Sequence, residues 1–477
     1  DGSGPWSAFC RTEGAAGSTP YRRHNTTASS FSNSGAAPGV SETYEADGYI
    51  TSTTFNPQFL SNTGAIGNND NLNDSGKEYV AYLFAHDAQE FGPDGDESVI
   101  KCGSYAGTSS ANLITEIDLG WTPQWVMIKN MSSGGNDWTI FDTDRGVPVG
   151  TNDHTLATNN NAEVNSLHHI ALTDKGFGLD DSTTQVNYLT HDFFYIAIRK
   201  PHRPAKDYHP HELLSFARGA NSPLRGYQAN FPVDSFWQRP YTAAGQFKFS
   251  STSIADNYLQ TPGNSAKVVD ASFTFDSEEG VKINESSQDQ AWMFRNSPGV
   301  LNTFIYRGTG SVRTLKHGLG KEPEWIIIKK ISSLEDWATH IADMDLTETM
   351  LLNNDLKPNS TFGYLYDSKD DEDLVLGTST LTNGSGARYW CQVMTSQPGI
   401  CKIGTYIGTD ANGNFVECGF RPRLVIVKRL TGGSSDWHIW DERRGMTSSS
   451  APHVSFNTTA VVESATSRCV QEETGFT

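Results

Sequence analysis

Two acid and base pairs in this sequence have the residue types that glycoside cleavage requires. Asp142 and Arg145 lie in the segment FDTDRG, and Asp441 and Arg444 lie in the similar segment WDERRG. A carboxylate held by an arginine is a candidate for cleaving a glycosidic bond. A third copy of the segment begins at residue 6, and there Cys10 replaces the aspartate. A catalytic pair is not expected to change its residue types between copies of a repeat within one chain. We therefore interpret these residues as structural ion pairs or turn caps, and we predict no catalytic residues.

One histidine pair has a spacing that suits a metal ion. His209 and His211 flank Pro210, and on an extended strand both imidazoles would share one face. Three chains around an axis would then offer six nitrogens to an octahedral metal. The pair occurs once, however, and a proline is awkward in a central strand. Exposed loop histidines are therefore the favoured interpretation, with an HxH-bound metal as the alternative.

Two acidic segments, residues 91–98 and 367–374, could offer carboxylates to a structural Ca²⁺ ion. Neither has the spacing of an EF-hand loop, and solvated acidic loops are the favoured interpretation. The cysteines are sparse, and only Cys391 with Cys401 or Cys418 forms a grouping that suggests a disulfide. We expect buried or half-buried thiols instead. The sequence lacks the fingerprints of phosphate loops, zinc proteases and dinucleotide-binding folds, so no cofactor is predicted beyond these ions.

The charge of the chain excludes several partners. The formal net charge is −19, which opposes binding to nucleic acid and docking on anionic membranes. Apolar runs are too short to span a bilayer. Charged residues form 19% of the chain and aromatic residues 11%, and short β-branched and aromatic runs alternate with Gly, Asn, Asp and Ser. This composition is typical of strands and turns.

An internal repeat of about a hundred residues organises these runs. Tyrosine, glycine and proline recur in a fixed order, followed each time by a short apolar run that ends in lysine and then by Asp-Trp. The apolar run begins with tryptophan in two copies and with leucine in the third. The residues that define the repeat are Tyr105, Gly120, Pro123, Trp125 and Trp138, then Tyr306, Gly320, Pro323, Trp325 and Trp337, then Tyr406, Gly419, Pro422 and Trp437. We interpret all of them as structural.

Each repeat should fold as a sandwich of antiparallel strands. Runs such as PQWVMIK are short and β-branched and follow a turn, which predicts a buried strand whose terminal lysine returns to solvent. DWTIFD and DWHIWD alternate with period two, which predicts half-buried strands. Turn signals about every ten residues favour an all-β fold, a tandem array of jelly-roll-like β-sandwich modules of about a hundred residues. In a linear array each module would also lean on its neighbours.

The predicted boundaries follow the repeat. They are a partial module at 1–96 that starts within a repeat, a β-sandwich at 97–200, a degenerate repeat or insertion at 201–303, a β-sandwich at 304–396, and a partial module at 397–477 that ends within a repeat. Residues 28–75 are polar and rich in Ser, Asn and Gly, which predicts a surface loop. We expect the parent protein to continue on both sides.

The repeat resembles the repeated domain of tail fibres and related virion appendages in phages of aquatic bacteria. The pattern is carried here by residues 79–85, 105–108, 176–177, 317–329, 436–445 and 457–463. The resemblance implies a structural virion protein rather than an enzyme, located on the extracellular particle and contributing to attachment to the host. It also implies a homo-oligomer, as a trimer, with other virion proteins and a host-surface polysaccharide or receptor as partners.

Two alternatives stay open. A carbohydrate-binding adhesin would stack exposed aromatic rings on sugars, and Tyr227 and Trp237 are the candidate contacts. A polysaccharide depolymerase would require one of the acidic residues to act in catalysis. The sequence favours the structural appendage over both.

Overall fold

The structure, a computed structural model, describes residues 7–9, 21–23, 78, 84, 98–133, 136–143, 147, 155–157, 163–164, 169–200, 208–218, 226–270, 273, 275, 279–282, 289–362, 366–461 and 469–477. Several predicted features lie outside these residues: the loop at 28–75, Cys10 and Arg145. Of the predicted partial module at 1–96, only residues 7–9, 21–23, 78 and 84 are described, and of the acidic segment 91–98 only Ser98 is described. Within residues 1–97 the structure describes one hairpin, formed by β1 (Ser7–Phe9) and β2 (Tyr21–Arg23).

The remaining strands fall into four consecutive groups, which we name modules I to IV. Module I contains β3 (Ile100–Ala106), β4 (Glu116–Asp118), β5 (Pro123–Asn130), β6 (Thr139–Asp142), β7 (Thr155–Ala157), β8 (Glu163–Val164), β9 (Ile170–Leu172), β10 (Gly176–Leu179) and β11 (Asp192–Arg199). Module II contains β12 (Leu214–Arg218), β13 (Gly226–Gln228), β14 (Ser235–Pro240), β15 (Phe247–Ser251), β16 (Asn257–Thr261), β17 (Val268–Val269), β18 (Gly280–Lys282) and β19 (Asp289–Phe294).

Module III contains β20 (Leu301–Arg307), β21 (Arg313–Lys316), β22 (Trp325–Lys330), β23 (Trp337–Ile341), β24 (Met350–Leu351), β25 (Ser368–Lys369), β26 (Asp373–Leu376), the single-turn helix α1 (Thr380–Asn383) and β27 (Arg388–Met394). Module IV contains β28 (Val416–Glu417), β29 (Leu424–Val427), β30 (His438–Asp441), β31 (Val454–Ser455) and β32 (Gly475–Phe476). Short 3₁₀ turns cover Pro210–Glu212, Thr252–Ile254 and Ser360–Phe362.

The sheets of the modules share one strand order. The larger sheet runs β3-β11-β5-β6-β7-β8 in module I, β12-β19-β14-β15-β16-β17 in module II and β20-β27-β22-β23-β24 in module III. A smaller sheet accompanies each, with the orders β4-β10-β9, β13-β18 and β21-β26-β25. Every described pairing is antiparallel. The predicted all-β tandem array of sandwich modules is confirmed, and the region predicted as a degenerate repeat carries the same two sheets as its neighbours.

The two faces of the larger sheet of module III pack into different cores, because successive side chains of a strand point to opposite sides. On β22, Ile326 and Ile328 point toward the smaller sheet and form a core within module III. Trp325 and Ile327 point the other way, into a second core whose residues come mainly from modules II, III and IV. We name this second core the shared core. Modules II and III thus each have a core of their own, and their inner faces, with that of module IV, also close one core together.

A close contact explains one recurring glycine. A Cβ atom on Gly176 would lie 1.9 Å from the carbonyl oxygen of Ile117. The equivalent distances are 2.0 Å for Gly280 against Tyr227 and 2.0 Å for Gly475 against Val416. No side chain fits at these separations, so modules I, II and IV need glycine at this position. In module III the equivalent residue is Asp373, which pairs with Lys316.

Candidate functional site: the contacts between modules

The lysine that ends each apolar run is not exposed. Lys129 and Lys329 are fully buried and Lys428 is half-buried, so the prediction that these residues return to solvent is wrong. Each ammonium group donates one hydrogen bond to a main-chain carbonyl of its own module. Lys129 donates to Asn136 O, and Lys329 donates to Glu335 O at 2.7 Å. Lys428 donates to the equivalent oxygen, that of Ser435.

The same lysines also bind the module before them in the chain. Lys329 Nζ of module III lies 3.1 Å from Asn264 O of module II. Lys428 Nζ of module IV lies 2.7 Å from Asp355 O of module III. A backbone N–H shares each acceptor, since Glu335 N donates to Asn264 O at 2.9 Å and Ser435 N donates to Asp355 O at 3.0 Å. Equivalent residues thus make equivalent contacts across two successive boundaries.

The repeat tryptophans form a second set of equivalent bonds. Trp337 Nε1 donates to Gln260 O of module II at 3.1 Å, and Trp437 Nε1 donates to Leu351 O of module III at 3.1 Å. Both indoles are almost completely buried. An indole that is buried needs a partner for its single N–H donor. Here the acceptor is the main chain of a neighbouring module, so each tryptophan fills its core and also fixes the boundary.

Module II makes the same contacts with different residues. Where β22 has Lys329 opposite Trp337, β14 has Arg239 at the position that faces Phe247 on β15. Arg239 is 1% exposed, and its NH1 atom donates to Ser455 O at 2.8 Å and to Thr458 O at 3.0 Å. Its NH2 atom donates to Ala460 O. These three carbonyls belong to module IV.

The strand register shows that Arg239 replaces both the lysine and the indole donor of the tryptophan. On module IV, Ser455 pairs with His438, as Leu351 pairs with Ala338 on module III. Ser455 therefore stands where Leu351 accepts the indole bond. Phenylalanine offers no such donor, and the guanidinium supplies it instead. The backbone contact is retained as well, because Gly245 N donates to Thr459 O at 3.1 Å.

These contacts close a ring. Module III binds module II, module IV binds module III, and module II binds module IV through equivalent positions. Other side chains strengthen the boundary between modules II and IV, which we call the third boundary. Tyr241 Oη donates to Arg443 O at 3.1 Å, and the Arg423 guanidinium lies 4.8 Å from the Phe216 ring centroid. Aromatic rings fill the middle, where Trp325 stacks on Trp437 at 6.3 Å.

Burial of the cations has an electrostatic consequence. It lowers the pKa of Lys329 and of Lys428 to about 8, and that of Arg239 to about 10. In each case desolvation of the charged form is the main cause. Carbonyl oxygens from two chain segments compensate the charge of each lysine in part, and three carbonyls of residues 455–460 do so for Arg239. Such cations are expensive to bury, which makes them specific for the ring in which their acceptors are correctly placed.

Module I contacts the ring through ion pairs. Arg388 of module III binds Asp180 at 3.0 Å, and Lys316 N donates to Asp174 Oδ2 at 3.1 Å. Arg313 lies 3.4 Å from Glu116 and 3.6 Å from Asp174. Asp174 is almost fully buried, and burial, aided by the nearby Glu116 carboxylate, raises its pKa to about 7. This boundary is therefore polar, whereas the ring boundaries combine apolar packing with main-chain bonds.

The other residues that define the repeat shape the turns and the module cores. Gly120, Gly320 and Gly419 have φ values of +75°, +64° and +79°, which only glycine adopts readily. Tyr105 Oη donates to Val186 O at 2.7 Å, and Tyr306 donates to the equivalent carbonyl of Thr382.

The remaining members of the set occupy the start of the buried strand. Pro123 opens β5, and the Pro323 and Pro422 carbonyls accept bonds from Lys369 and Gln471. Trp125 is the third residue of β5 and Trp325 is the first residue of β22, and Trp138 is fully buried. Tyr406, by contrast, is 45% exposed.

The structure removes the basis for a sugar-binding role of two aromatic residues. Tyr227 is 3% exposed and Trp237 is 1% exposed, so the prediction that they offer exposed rings is wrong. Tyr227 packs between the sheets of module II, and Trp237 lies in the shared core, 5.4 Å from Phe456. Both sit on alternating strands, which could have indicated burial.

The histidine pair is exposed but does not lie on a strand. His209 directly precedes the 3₁₀ turn Pro210–Glu212 and His211 lies within it, and their rings stack with centroids 5.6 Å apart. The predicted geometry of an extended HxH strand is therefore wrong. Among the described residues no group of three or more His, Cys, Asp or Glu side chains is placed to hold a metal ion. No helix in the described part of the chain is long and apolar enough to cross a membrane.

The predicted structural role of one acid and base pair is confirmed. Asp441 and Arg444 are buried and form an ion pair, and Asp441 Oδ1 also accepts from Arg443 N and Arg444 N at 3.0 Å, which caps the turn. In the acidic segment 367–374, Asp370 Oδ1 likewise accepts two backbone N–H groups, and Glu372 binds Lys316 at 2.8 Å. Cys391, Cys401 and Cys418 are free thiols, so the disulfide alternative is wrong.

One protein family matches the sequence in two parts. Its model is described as a domain of unknown function (DUF7483), and it matches residues 30–201 and 263–472. The chain belongs to the DUF7483 family. The interval between the two matches holds the front half of module II, where Arg239 and Phe247 replace the lysine and tryptophan of the other modules. No curated protein matches this DUF7483 chain in sequence.

Proposed function

We propose that this DUF7483 chain is a structural virion protein, part of a tail fibre or comparable appendage on the extracellular particle. In this role its modules act as rigid spacers and contribute to attachment at the host surface. The proposal is for a non-enzymatic protein whose repeated residues hold modules together.

One observation carries the proposal. In modules III and IV the recurring lysine and tryptophan donate hydrogen bonds to the neighbouring module. An adhesin or an enzyme would instead be expected to concentrate its polar residues where a ligand can reach them. Several buried hydrogen bonds hold each boundary between modules, and this arrangement favours a structural, load-carrying role.

The ring bears on the expected homotrimer. Fibres often place three chains around an axis, and here one chain places three modules around a common core. The trimer stays a prediction, as do the other virion proteins and the host receptor as partners. The second expected function, sugar binding through Tyr227 and Trp237, is not proposed, since both rings are buried.

Immunogold electron microscopy tests the proposal. Antibodies raised against the purified chain are applied to purified particles of the virus that encodes it, with antibody pre-absorbed on the chain as the control. We expect gold on a tail or surface appendage. Label that is confined to infected-cell lysate and absent from washed particles contradicts the proposal.

A further inference from the structure

An arginine of module IV occupies a position where module III has an apolar side chain. Arg444 follows Trp437 by seven residues, as Met344 follows Trp337. Met344 belongs to the shared core. The side chain of Arg444 is 1% exposed, and its Cζ atom lies 5.1 Å from the ring centroid of Trp292 in module II. This guanidinium is therefore buried against the shared core, at the third boundary.

Only part of the Arg444 guanidinium is hydrogen-bonded. Its Nη1 atom donates to Asp441 Oδ2. Its Nε and Nη2 atoms are buried and have no hydrogen-bond partner among the described residues. Buried polar groups in proteins are, with few exceptions, bonded to protein, to ordered water or to an ion, because an unmade bond costs the full desolvation of the group. The buried side of Arg444 therefore calls for an acceptor.

Three more buried donors lie on the face of module II that meets Arg444. Arg239 pairs with Gln290, and Trp292 lies two residues further along β19, so the three side chains share one face of the sheet. Each of these residues is at most 1% exposed. Arg239 Nε, Gln290 Nε2 and Trp292 Nε1 have no hydrogen-bond partner within the described part of the chain. Donors from modules II and IV thus converge on the same boundary.

Contacts with aromatic rings place these donors close together. Arg444 Cζ lies 5.0 Å from the ring centroid of Tyr241, which follows Arg239 by two residues. Arg239 Cζ lies 5.1 Å from the ring of Phe247, which is itself 5.4 Å from the ring of Trp292. The pKa of Arg239 is lowered to about 10, first by desolvation and then by repulsion from Arg444. The two guanidinium groups are therefore near neighbours.

The charges at this place do not balance. Asp441 is the ion-pair partner of Arg444, whereas Arg239 has main-chain carbonyls as its acceptors. A buried cation without a counter-ion is costly. A water molecule would need acceptors for its own two hydrogens, and Gln290 Oε1 is the unpartnered acceptor that the group offers. An anion needs no acceptor and cancels a positive charge, so an anion fits these donors better than water does.

We propose that the third boundary binds a single monatomic anion of the chloride type. Its ligands are the unpartnered N–H groups of Arg239, Gln290, Trp292 and Arg444. All of these donor atoms are closed off from solvent, which favours a monatomic ion over a tetrahedral oxyanion such as phosphate. The ion takes its donors from two modules and so stabilises the closed ring. This inference does not depend on the proposed virion role.

A chloride titration of the whole chain tests the proposal. Urea unfolding is measured at fixed ionic strength while sodium chloride replaces sodium gluconate, whose anion is too large for an enclosed site. Both salts screen surface charges equally. We expect the equilibrium constant for unfolding to fall about tenfold when chloride exceeds its dissociation constant tenfold, since the ion binds only the folded ring. Bromide should act like chloride, and phosphate should not.

Variants of two donors separate a bound ion from a general effect of salt. Gln290→Met removes one donor and leaves the hydrogen bonds between modules in place, so the folded chain should lose most of its chloride response. Arg444→Met, which introduces the side chain of module III, should abolish the response. Circular dichroism checks that both variants are folded. Arg421→Met is the control, since the Arg421 side chain is 60% exposed and its removal should leave the response intact.

Three outcomes would overturn the proposal. The first is an unmodified chain that chloride stabilises no more than gluconate does. The second is a chloride response that Gln290→Met and Arg444→Met retain in full, as Arg421→Met does. The third is stabilisation by phosphate equal to that by chloride, which would show that the site does not select a monatomic ion.

Discussion

The guanidinium of Arg239 in module II lies 2.8 Å from the main-chain carbonyl of Ser455 in module IV. Nothing in the local sequence of either residue indicates the other. The bond exists because Arg239 occupies the strand position that lysine holds in modules III and IV, while Ser455 occupies the position at which a tryptophan indole is received elsewhere. The last boundary of the ring thus uses the same sites as the other two.

Replacement of Arg239 by Met should lower the free energy of unfolding of modules II to IV by about 3 kcal/mol or more, since several buried carbonyls lose their donor at once. Arg239→Lys should lose less, because one ammonium group can still reach part of this acceptor set. Urea unfolding followed by tryptophan fluorescence measures the change. Arg421→Met is the control, since Arg421 is 60% exposed and its ion pair with Glu473 should contribute under about 1 kcal/mol. Equal effects of Arg239→Met and Arg421→Met would refute the role of Arg239.

Trp437→Phe should destabilise the boundary between modules III and IV by about 2 kcal/mol, through a lost bond to Leu351 O and a small cavity. Hydrogen exchange should accelerate in β24 and β31 on both sides of that boundary. Trp121→Phe is the matched control, because Trp121 Nε1 donates to Ser98 Oγ near module I. Its effect should stay outside modules III and IV. Acceleration confined to module IV in Trp437→Phe would show that the indole has no role across the boundary.

Two glycine substitutions should differ in cost for separate physical reasons. Gly320→Ala has free space around the new Cβ, so its cost is the positive φ alone, about 1 kcal/mol. Gly176→Ala meets the Ile117 carbonyl at 1.9 Å and must separate two paired strands. We expect a loss of about 3 kcal/mol or more there. Thermal unfolding compares the two variants, and a smaller cost at Gly176 than at Gly320 would contradict the close contact.

The boundary between modules I and III should weaken as pH rises. The pKa of Asp174 is raised to about 7 in the folded chain from the model-compound value of 3.8. The folded state therefore holds a proton that the unfolded state has lost, and stability falls between about pH 4 and pH 7, by at most about 1.4 kcal/mol per pH unit. Glu116, Arg313 and Lys175 are the charged groups around it.

Unfolding of the chain at pH 5, 6, 7 and 8 measures this slope. Asp174→Asn should remove much of the decline, since the amide cannot ionise. Asp118→Asn, with a carboxyl that is 60% exposed, is the control and should keep the slope of the unmodified chain. A slope that is identical in all three proteins would rule out Asp174 as its source.

The sequence predicts the strands well and their surroundings poorly. Alternation and turn residues identify β5, β22 and β29, and the recurring Gly120 marks a turn that needs a positive φ. The buried Lys329 could not be recognised in this way. The sequence of an apolar run that ends in lysine is the same whether the lysine is solvated or bound to a carbonyl of another module. Every residue has a main-chain carbonyl, so the sequence does not identify the acceptor.

The ring was hidden for a related reason. Arg239 and Phe247 do not resemble Lys329 and Trp337 in residue type, and the front half of module II also falls between the two parts of the family match. Counting positions along the strands β14 and β15 would align them, but only once the strand register is known. Arg239 can be recognised as the replacement for a tryptophan indole only when the structure shows that Ser455 O and Leu351 O occupy equivalent positions.

A distance across the third boundary tests the ring most directly. Ala243 of module II and Ala460 of module IV are exposed, and they flank the bond from Gly245 N to Thr459 O. Spin labels introduced at these two positions through non-natural amino acids can be measured by pulsed electron resonance. The ring predicts a single short distance, about 20 Å or less. A module of this size is about 25 to 30 Å across, so a linear array would separate the labels by about 50 Å or more, and that result would contradict the closed ring.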